Sequence, residues 1–371
     1  MTETTEPCVL SEIVPSGNGF NVAIATLNAP KSLNSLTMDM VKLLSSLLNQ
    51  WQDDDSIACV VLRGSGDRAL CAGGDVVKLR DSAIAGDGAA ADFFEKEYRL
   101  DYLIHTYKKP MIAWGHGVVM GGGMGLLSGA SHRVVTAETR LGMPEVTIGL
   151  YPDVGGSWFL NRTPGRTGLF LALTGASINA ADTLFLGMAD RYLKHEQYQD
   201  VVSGLTNTAW SADAGRHHGQ VSHLLRDLEA KADDAPASVV REHYDIIQQL
   251  TDGDNVEDVY ARITGYEGDD KWLSRAAATL KNGCPASAHL IYRQLHNTLH
   301  LSLREVFQAE LILSSNCVAH SNFPEGVRAL LIDKDRQPKF DPPRFDDVTA
   351  EFIDEHFQPP WGDKPHPLAD L

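Results

Sequence analysis

The stretch GVVMGGGMGLLSGASHRVVTAETRLGMPEVTIGLYPDVGG, residues 117–156, holds most of what the chain says about its fold and chemistry. A glycine turn, Gly121-Gly122-Gly123, follows an extended segment and opens a helix. Two acids eight residues apart, Glu145 and Asp153, follow it. Gly125, two positions past the turn, offers no side chain. A glycine turn at a helix start can bind phosphate or aim an amide at a carbonyl oxygen. Close helix–strand packing is the plainest reading of the turn by itself. The Gly-x-Gly-x-x-Gly dinucleotide fingerprint is poorly met, and the Gly-Lys-Ser/Thr ending of a P-loop is absent.

Working outward, a second glycine pair occurs in Leu70-Cys71-Ala72-Gly73-Gly74-Asp75, again after a strand and before a helix. Two such turns could each present an amide to a shared oxygen, as an oxyanion hole requires. Asp75 reads as the cap of the following helix. Glu145 stands among Met, Val, Ile and Leu, where desolvation favours acid–base work. Asp153 falls on the turn after Ile148–Tyr151. Glu97, in Phe94-Glu95-Lys96-Glu97-Tyr98, reads from its charged neighbours as part of a solvated helix face. Cys71 reads as a buried structural thiol. No HExxH or GxSxG is present, so neither a metal site nor a serine triad is expected.

Periodicity places a strand at 19–28 and a helix at 38–51 capped by Thr37. Further strands are expected at 57–62, 111–114 and 133–136. Their recurrence with helices suggests stacked ββα turns, although the sequence repeat is weak. Residues 80–107 read as uneven helix with a small-residue flap at DSAIAGDGAAAD. Helices are expected near 166–174, after Asn179, and over 284–319 with one break. Residues 203–270 read as polar helices and loops, and the tail from 336 as a surface wrap with little structure of its own. We expect a spiral core over 1–200 and a mainly helical region over 201–371 that completes it.

The chain has 371 residues, 43% hydrophobic content and a formal charge of −17. That size supports a large core, and the charge argues against nucleic-acid and anionic-membrane partners. Five scattered cysteines without zinc-ligand spacing suit a reducing compartment. With no signal-like or membrane-spanning segment evident, a cytoplasmic location is expected.

LCAGGDV (70–76), MGGGMGL (120–126), MPEVTIGLYPDVGG (143–156), FLALTG (170–175) and FPEGVRALLIDKDRQPKF (323–340) together resemble the crotonase (enoyl-CoA hydratase/isomerase) superfamily. Within it the pattern looks most like the 3-hydroxyisobutyryl-CoA hydrolases. The resemblance runs over about 19–195 and 284–340. It implies an α/β fold, a crotonase-type spiral of ββα units with a C-terminal helical extension. It also implies an enzyme that hydrolyses a short 3-hydroxyacyl-CoA thioester, as in valine degradation. The Gly74 and Gly122 amides would form the oxyanion hole. Glu145 and Asp153 would be catalytic, and Glu97 would bind substrate. The Lys31-Ser32-Leu33 turn would receive the adenine end of CoA. The hydratases carry a glutamate where this chain has Gly125, and usually glycine where it has Asp153. Hydration or isomerisation is the alternative within the family. No cofactor is implied, since CoA arrives as part of the substrate, and a homo-oligomer is admitted.

Overall fold

The computed structural model describes residues 6–229 and 234–371. Among the described residues nine strands are present: Val9–Pro15 (β1), Asn21–Leu27 (β2), Ile57–Gly64 (β3), Ala69–Cys71 (β4), Met111–Gly115 (β5), Val118–Met120 (β6), His132–Val135 (β7), Arg140–Gly142 (β8) and Arg191–Tyr192 (β9). They form one sheet in the order β1-β2-β3-β5-β7-β9 and a second in the order β4-β6-β8. Successive strand pairs thus divide between the sheets, with β3, β5 and β7 in the first and β4, β6 and β8 in the second. The weak ββα recurrence of the sequence is therefore real.

The larger sheet is parallel from β2 to β9, and only β1 runs antiparallel, on β2. Parallel strands covered on both faces read as continuous apolar runs, which is why Ile57–Leu62 was legible. The edge strand β1 is mostly exposed, with only Val9 buried, so it lacks an apolar run and escaped the sequence reading.

The helices of the first half are Met38–Asp53 (α1), Val76–Ala85 (α2), Ala89–His105 (α3), Gly122–Ser128 (α4), Gly156–Leu160 (α5), Thr167–Thr174 (α6) and Ala180–Phe185 (α7). Those of the second half are Tyr198–Thr206 (α8), His217–Glu229 (α9), Val239–Glu242 (α10), Tyr244–Leu250 (α11), Val256–Thr264 (α12), Lys271–Asn282 (α13), Pro285–Thr298 (α14), Leu303–Ala319 (α15), Asn322–Val327 (α16) and Ala350–His356 (α17). Thr37 caps α1 by accepting from the Met40 amide, and Asp75 caps α2 by accepting from Lys78. Asn179 and Asp182 close a reciprocal capping box on α7.

The chain divides into two compact units whose segments alternate. One comprises 1–74, 103–141 and 179–239, the other 75–102, 142–178 and 240–371. The division does not fall at residue 200, because α8 and α9 belong with the N-terminal strands. Val201, Leu205, Val221 and Leu225 pack with Val22, Val61, Trp114 and Val134 in one core. The segment beginning at 203 is thus less polar in effect than in composition.

Two further expectations change. The segment read as a flap, 81–92, holds a capped junction between α2 and α3. Ser82 bonds Asp87, the Ala90 amide donates to Ser82 Oγ, and the Ala89 amide donates to Asp87. The tail contains α17, capped by Thr349, and buries Phe340, Phe345, Ile353 and Leu368. It is anchored by apolar side chains spaced too widely to show a period.

Candidate active site

The glycine turns lie in the first unit. Gly121 caps α4 with φ +50, a conformation that favours glycine. A Cβ on Gly123 would stand 2.3 Å from the Cys71 carbonyl oxygen, so only glycine lets α4 approach β4 this closely. A Cβ on Gly73 would lie 3.7 Å from the Gly122 nitrogen. The two turns are therefore neighbours, as the sequence suggested. Gly122 is the first residue of α4, where an amide has no intrahelical acceptor. Cys71 is fully buried, and the Gly73 amide donates to its Sγ, in keeping with a structural thiol.

The Lys31–Leu33 turn joins the same framework. The Ala72 amide donates to the Leu33 carbonyl at 3.0 Å and the Leu36 amide to Gly73 at 2.8 Å. Leu33 and Asn34 both hold positive φ. Buried Asn34 explains how, since its side chain accepts from the Ala29 amide and donates to the Ser65 and Ala69 carbonyls. Lys31 itself is exposed. Asn34 went unremarked in the sequence, although Asn is well suited to left-handed turns. Gly125 is buried within α4.

The acids lie in the second unit. Pro144 starts a tight 3-10 turn, Glu145–Ile148, which carries Glu145 inward at 6% exposure. Asp153, 4% exposed, precedes a turn in which Val154 and Gly155 both have positive φ. Glu97 is 2% exposed, against the solvated-face reading. The exposed charges of that segment pair among themselves, Lys96 and Arg99 with Glu95. Glu97 turns instead to the face it shares with buried Asp101, one helical turn on.

Two backbone amides, from Gly155 and Ser157, donate to Glu310 on α15 at 2.7 and 2.9 Å. This clamps the turn that presents Asp153. Tyr98 Oη donates to Asp153 Oδ2 at 2.6 Å. Tyr98, Asp101, Glu310 and Ser314 were all missed in the sequence. The available signal was the set of acids falling on apolar helix faces, Asp101 beside Leu100 and Ile104 and Glu310 beside Val306 and Leu311.

Five buried carboxyls thus share one region. Burial, then the neighbouring acids, pushes Glu97 and Asp101 well above the carboxylate range. Burial and Asp153 do the same to Glu145. Burial raises Asp153 only to about 6, because the Tyr98 hydroxyl favours its ionised form. Burial takes Glu310 up to about 8 against the pull of its two amides. Glu97 Oε1, both Asp101 oxygens and Glu145 Oε2 are buried without a hydrogen-bond partner among the described residues. Such groups suit a polar ligand. Raised carboxyls of unequal strength supply both an acid and a base near neutrality. Among the described residues no group of three His, Cys, Asp or Glu could hold a metal ion, and no helix is long and apolar enough to cross a membrane.

The model of the enoyl-CoA hydratase/isomerase family matches residues 22–357. A mitochondrial 3-hydroxyisobutyryl-CoA hydrolase from Xenopus tropicalis is 37% identical over 90% of this chain and 86% of its own. The human protein of that name is 33% identical over the same shares. Among solved structures, a carnitinyl-CoA dehydratase from Mycobacterium thermoresistibile superposes with TM-score 0.84 at 35% identity, covering 96% of this chain and 97% of its own. An enoyl-CoA hydratase from Rhodobacter sphaeroides 2.4.1 gives 0.82 at 31% identity, covering 95% and 97%.

Proposed function

Because this chain belongs to the enoyl-CoA hydratase/isomerase (crotonase) family, we propose that it hydrolyses a short 3-hydroxyacyl-CoA thioester, foremost 3-hydroxyisobutyryl-CoA, to the free acid and CoA. The observation that carries this reading is the pairing of two buried carboxyls, Glu145 and Asp153, with a glycine at 125. The names of the curated relatives support it. Water addition to a double bond would need a second side chain at 125, by the resemblance, and Gly125 has none.

In the proposed reaction the thioester oxygen accepts hydrogen bonds from the Gly74 and Gly122 amides. Each such donor is worth about 2.7–4 kcal/mol to a developing oxyanion. Glu145 removes a proton from water, and the hydroxide adds to the carbonyl carbon. The tetrahedral intermediate then expels the CoA thiolate, which takes up the proton held by Glu145. The alternative course has Glu145 attack the carbonyl and expel the CoA thiolate to give a mixed anhydride, which water then cleaves to free the acid and restore Glu145. Asp153 and Glu97 bind the acyl part, with Asp153 on the 3-hydroxyl. The Lys31–Leu33 turn takes the adenine end of CoA.

No cofactor enters, since CoA is part of the substrate, and neither nucleic acid nor membrane is a partner. The five cysteines, none of them in a disulfide, fit action in the cytoplasm, and the product fits valine degradation. A homo-oligomer is compatible with this scheme.

The solved relatives, a carnitinyl-CoA dehydratase and an enoyl-CoA hydratase by name, favour a second reading, hydration or dehydration of an enoyl-CoA. A thiol-release assay over 3-hydroxyisobutyryl-, 3-hydroxypropionyl- and crotonyl-CoA separates the two. Thiol release from the hydroxyacyl esters is expected. Hydration of crotonyl-CoA without thiol release from any ester would replace the hydrolase reading with the second.

A further inference from the structure

Behind Asp153 lies a run of hydroxyls that the proposed reaction does not use. Tyr98 Oη is 2.6 Å from Asp153 Oδ2 and 2.5 Å from Ser314 Oγ. Ser314 Oγ is 2.9 Å from Tyr151 Oη, which donates to the Glu310 carbonyl oxygen at 2.7 Å. Tyr98, Tyr151 and Ser314 are all buried. The run is anchored at one end by a backbone carbonyl, which can only accept, and ends at the other on a titrating carboxyl.

Counting protons gives this run two arrangements, since each hydroxyl has one to give. With Asp153 ionised, Tyr98 donates to Asp153 and Ser314 donates to Tyr98. With Asp153 protonated, Asp153 donates to Tyr98, Tyr98 to Ser314, Ser314 to Tyr151, and Tyr151 to the Glu310 carbonyl. Apart from the proton that Asp153 itself gains or loses, the two differ only by rotation of hydroxyls about their C–O bonds. No hydroxyl gives up its own proton, and no heavy atom has to move.

We infer that Tyr98 is a positioning residue for Asp153, and that with Ser314 and Tyr151 it forms a reversible hydroxyl run holding Oδ2 in place whether Asp153 is ionised or protonated. The inference rests on the role given to Asp153 above. It leaves Oδ1 to face substrate and holds that oxygen in one place in both protonation states. Burial favours its protonated form, in the company of several other buried ionisable groups. Glu97 and Asp101 approach from α3, Glu145 and Tyr151 from its own segment, and Glu310 and Cys317 from α15. The Tyr98 hydroxyl offsets that pressure, and Asp153 stays near 6.

The test is the titration of Asp153, followed by infrared difference spectroscopy on the carboxyl band that disappears in Asp153→Asn, together with kcat and KM against pH. Tyr98→Phe removes one oxygen and keeps the ring. It should raise the Asp153 titration by about one pH unit, the worth of a hydrogen bond to a charged group, and lower kcat more than it raises KM. Ser314→Ala should shift the titration in the same direction by less. An unmoved titration in Tyr98→Phe overturns the inference, whatever happens to turnover. Should Tyr98→Phe not fold, Ser314→Ala decides by the same criterion. A wild-type protein that releases no thiol from any ester defeats the functional reading instead, and the infrared titration still judges Tyr98.

Discussion

The glycine turns of one unit and the acids of the other are built on opposite principles. At Gly73–Gly74 and Gly121–Gly123 the groups proposed to act are backbone amides, placed by removing side chains until two turns can touch. At Glu97, Glu145 and Asp153 the groups proposed to act are side chains, placed by burying carboxyls that water would hold more cheaply in charged form. The first device is local and tolerates no added atom. The second is distributed and depends on residues far away in sequence. The contrast predicts that damage to the turns should appear as lost packing and lost turnover together, whereas damage to the acids should separate turnover from folding.

The largest effect should come from Glu145→Gln. Loss of a general base costs about 10²–10⁴ in rate, and more if Glu145 is the nucleophile. Thiol release should fall by at least that factor while CoA-ester binding, followed by calorimetry, stays near wild type. Near-normal turnover would remove Glu145 from the reaction. Gly123→Ala comes next. Its methyl would press on the Cys71 carbonyl, and overpacking of this kind costs about 1–3 kcal/mol. Denaturant titration and turnover should fall together, and a stable variant with full activity would break the comparison.

Glu310→Gln should be milder. One of the amides of Gly155 and Ser157 would face an NH₂ group, at a cost of about 1–3 kcal/mol. Asp153 would be presented less firmly, so KM should rise alongside the stability loss.

The smallest effect is the sharpest in sign. Glu145, Glu97 and Asp101 titrate above their ordinary range, Asp153 near 6 and Glu310 near 8. The folded state therefore holds protons that the unfolded chain has released above about pH 4. Their contribution to stability is full below that pH and is lost as pH rises through the folded values, towards 8. Buried and half-buried histidines with lowered values act in the opposite sense below about pH 6.5, so melting temperature should fall over the upper part of that window, from about pH 7 to 8. The rate, with Glu145 as the proposed base, should rise with pH above the ordinary carboxylate range. A melting temperature that climbs from about pH 7 to 8 would show that these groups are not buried as described.

What the sequence made legible follows the same division. The glycine turns could be read directly, because a turn that needs positive φ or a close approach writes glycine into the chain. The caps at Thr37, Asp75 and Asn179 could be read for the same local reason. Glu145 and Asp153 were visible as acids in apolar company. What controls them was not, since Tyr98 meets Ser314 across 216 positions and Gly155 meets Glu310 across 155. Glu97 was misread from its immediate neighbours, because three charges in a row look solvated until the helix shows that they diverge. The polar stretch at 217–229 hid a four-residue apolar face on α9.

The alternation of the two units along the chain also bears on how the protein is made. Each unit is assembled from three separate segments. During synthesis the strand-rich unit lacks its last segment until residue 239 has emerged. The second unit, begun at residue 75, waits for everything after 240. Neither can therefore finish before the other has started. Domains that lie one after another can fold in turn as they leave the ribosome. These two interleave along the chain, and no single cut in the gene would separate one from the other.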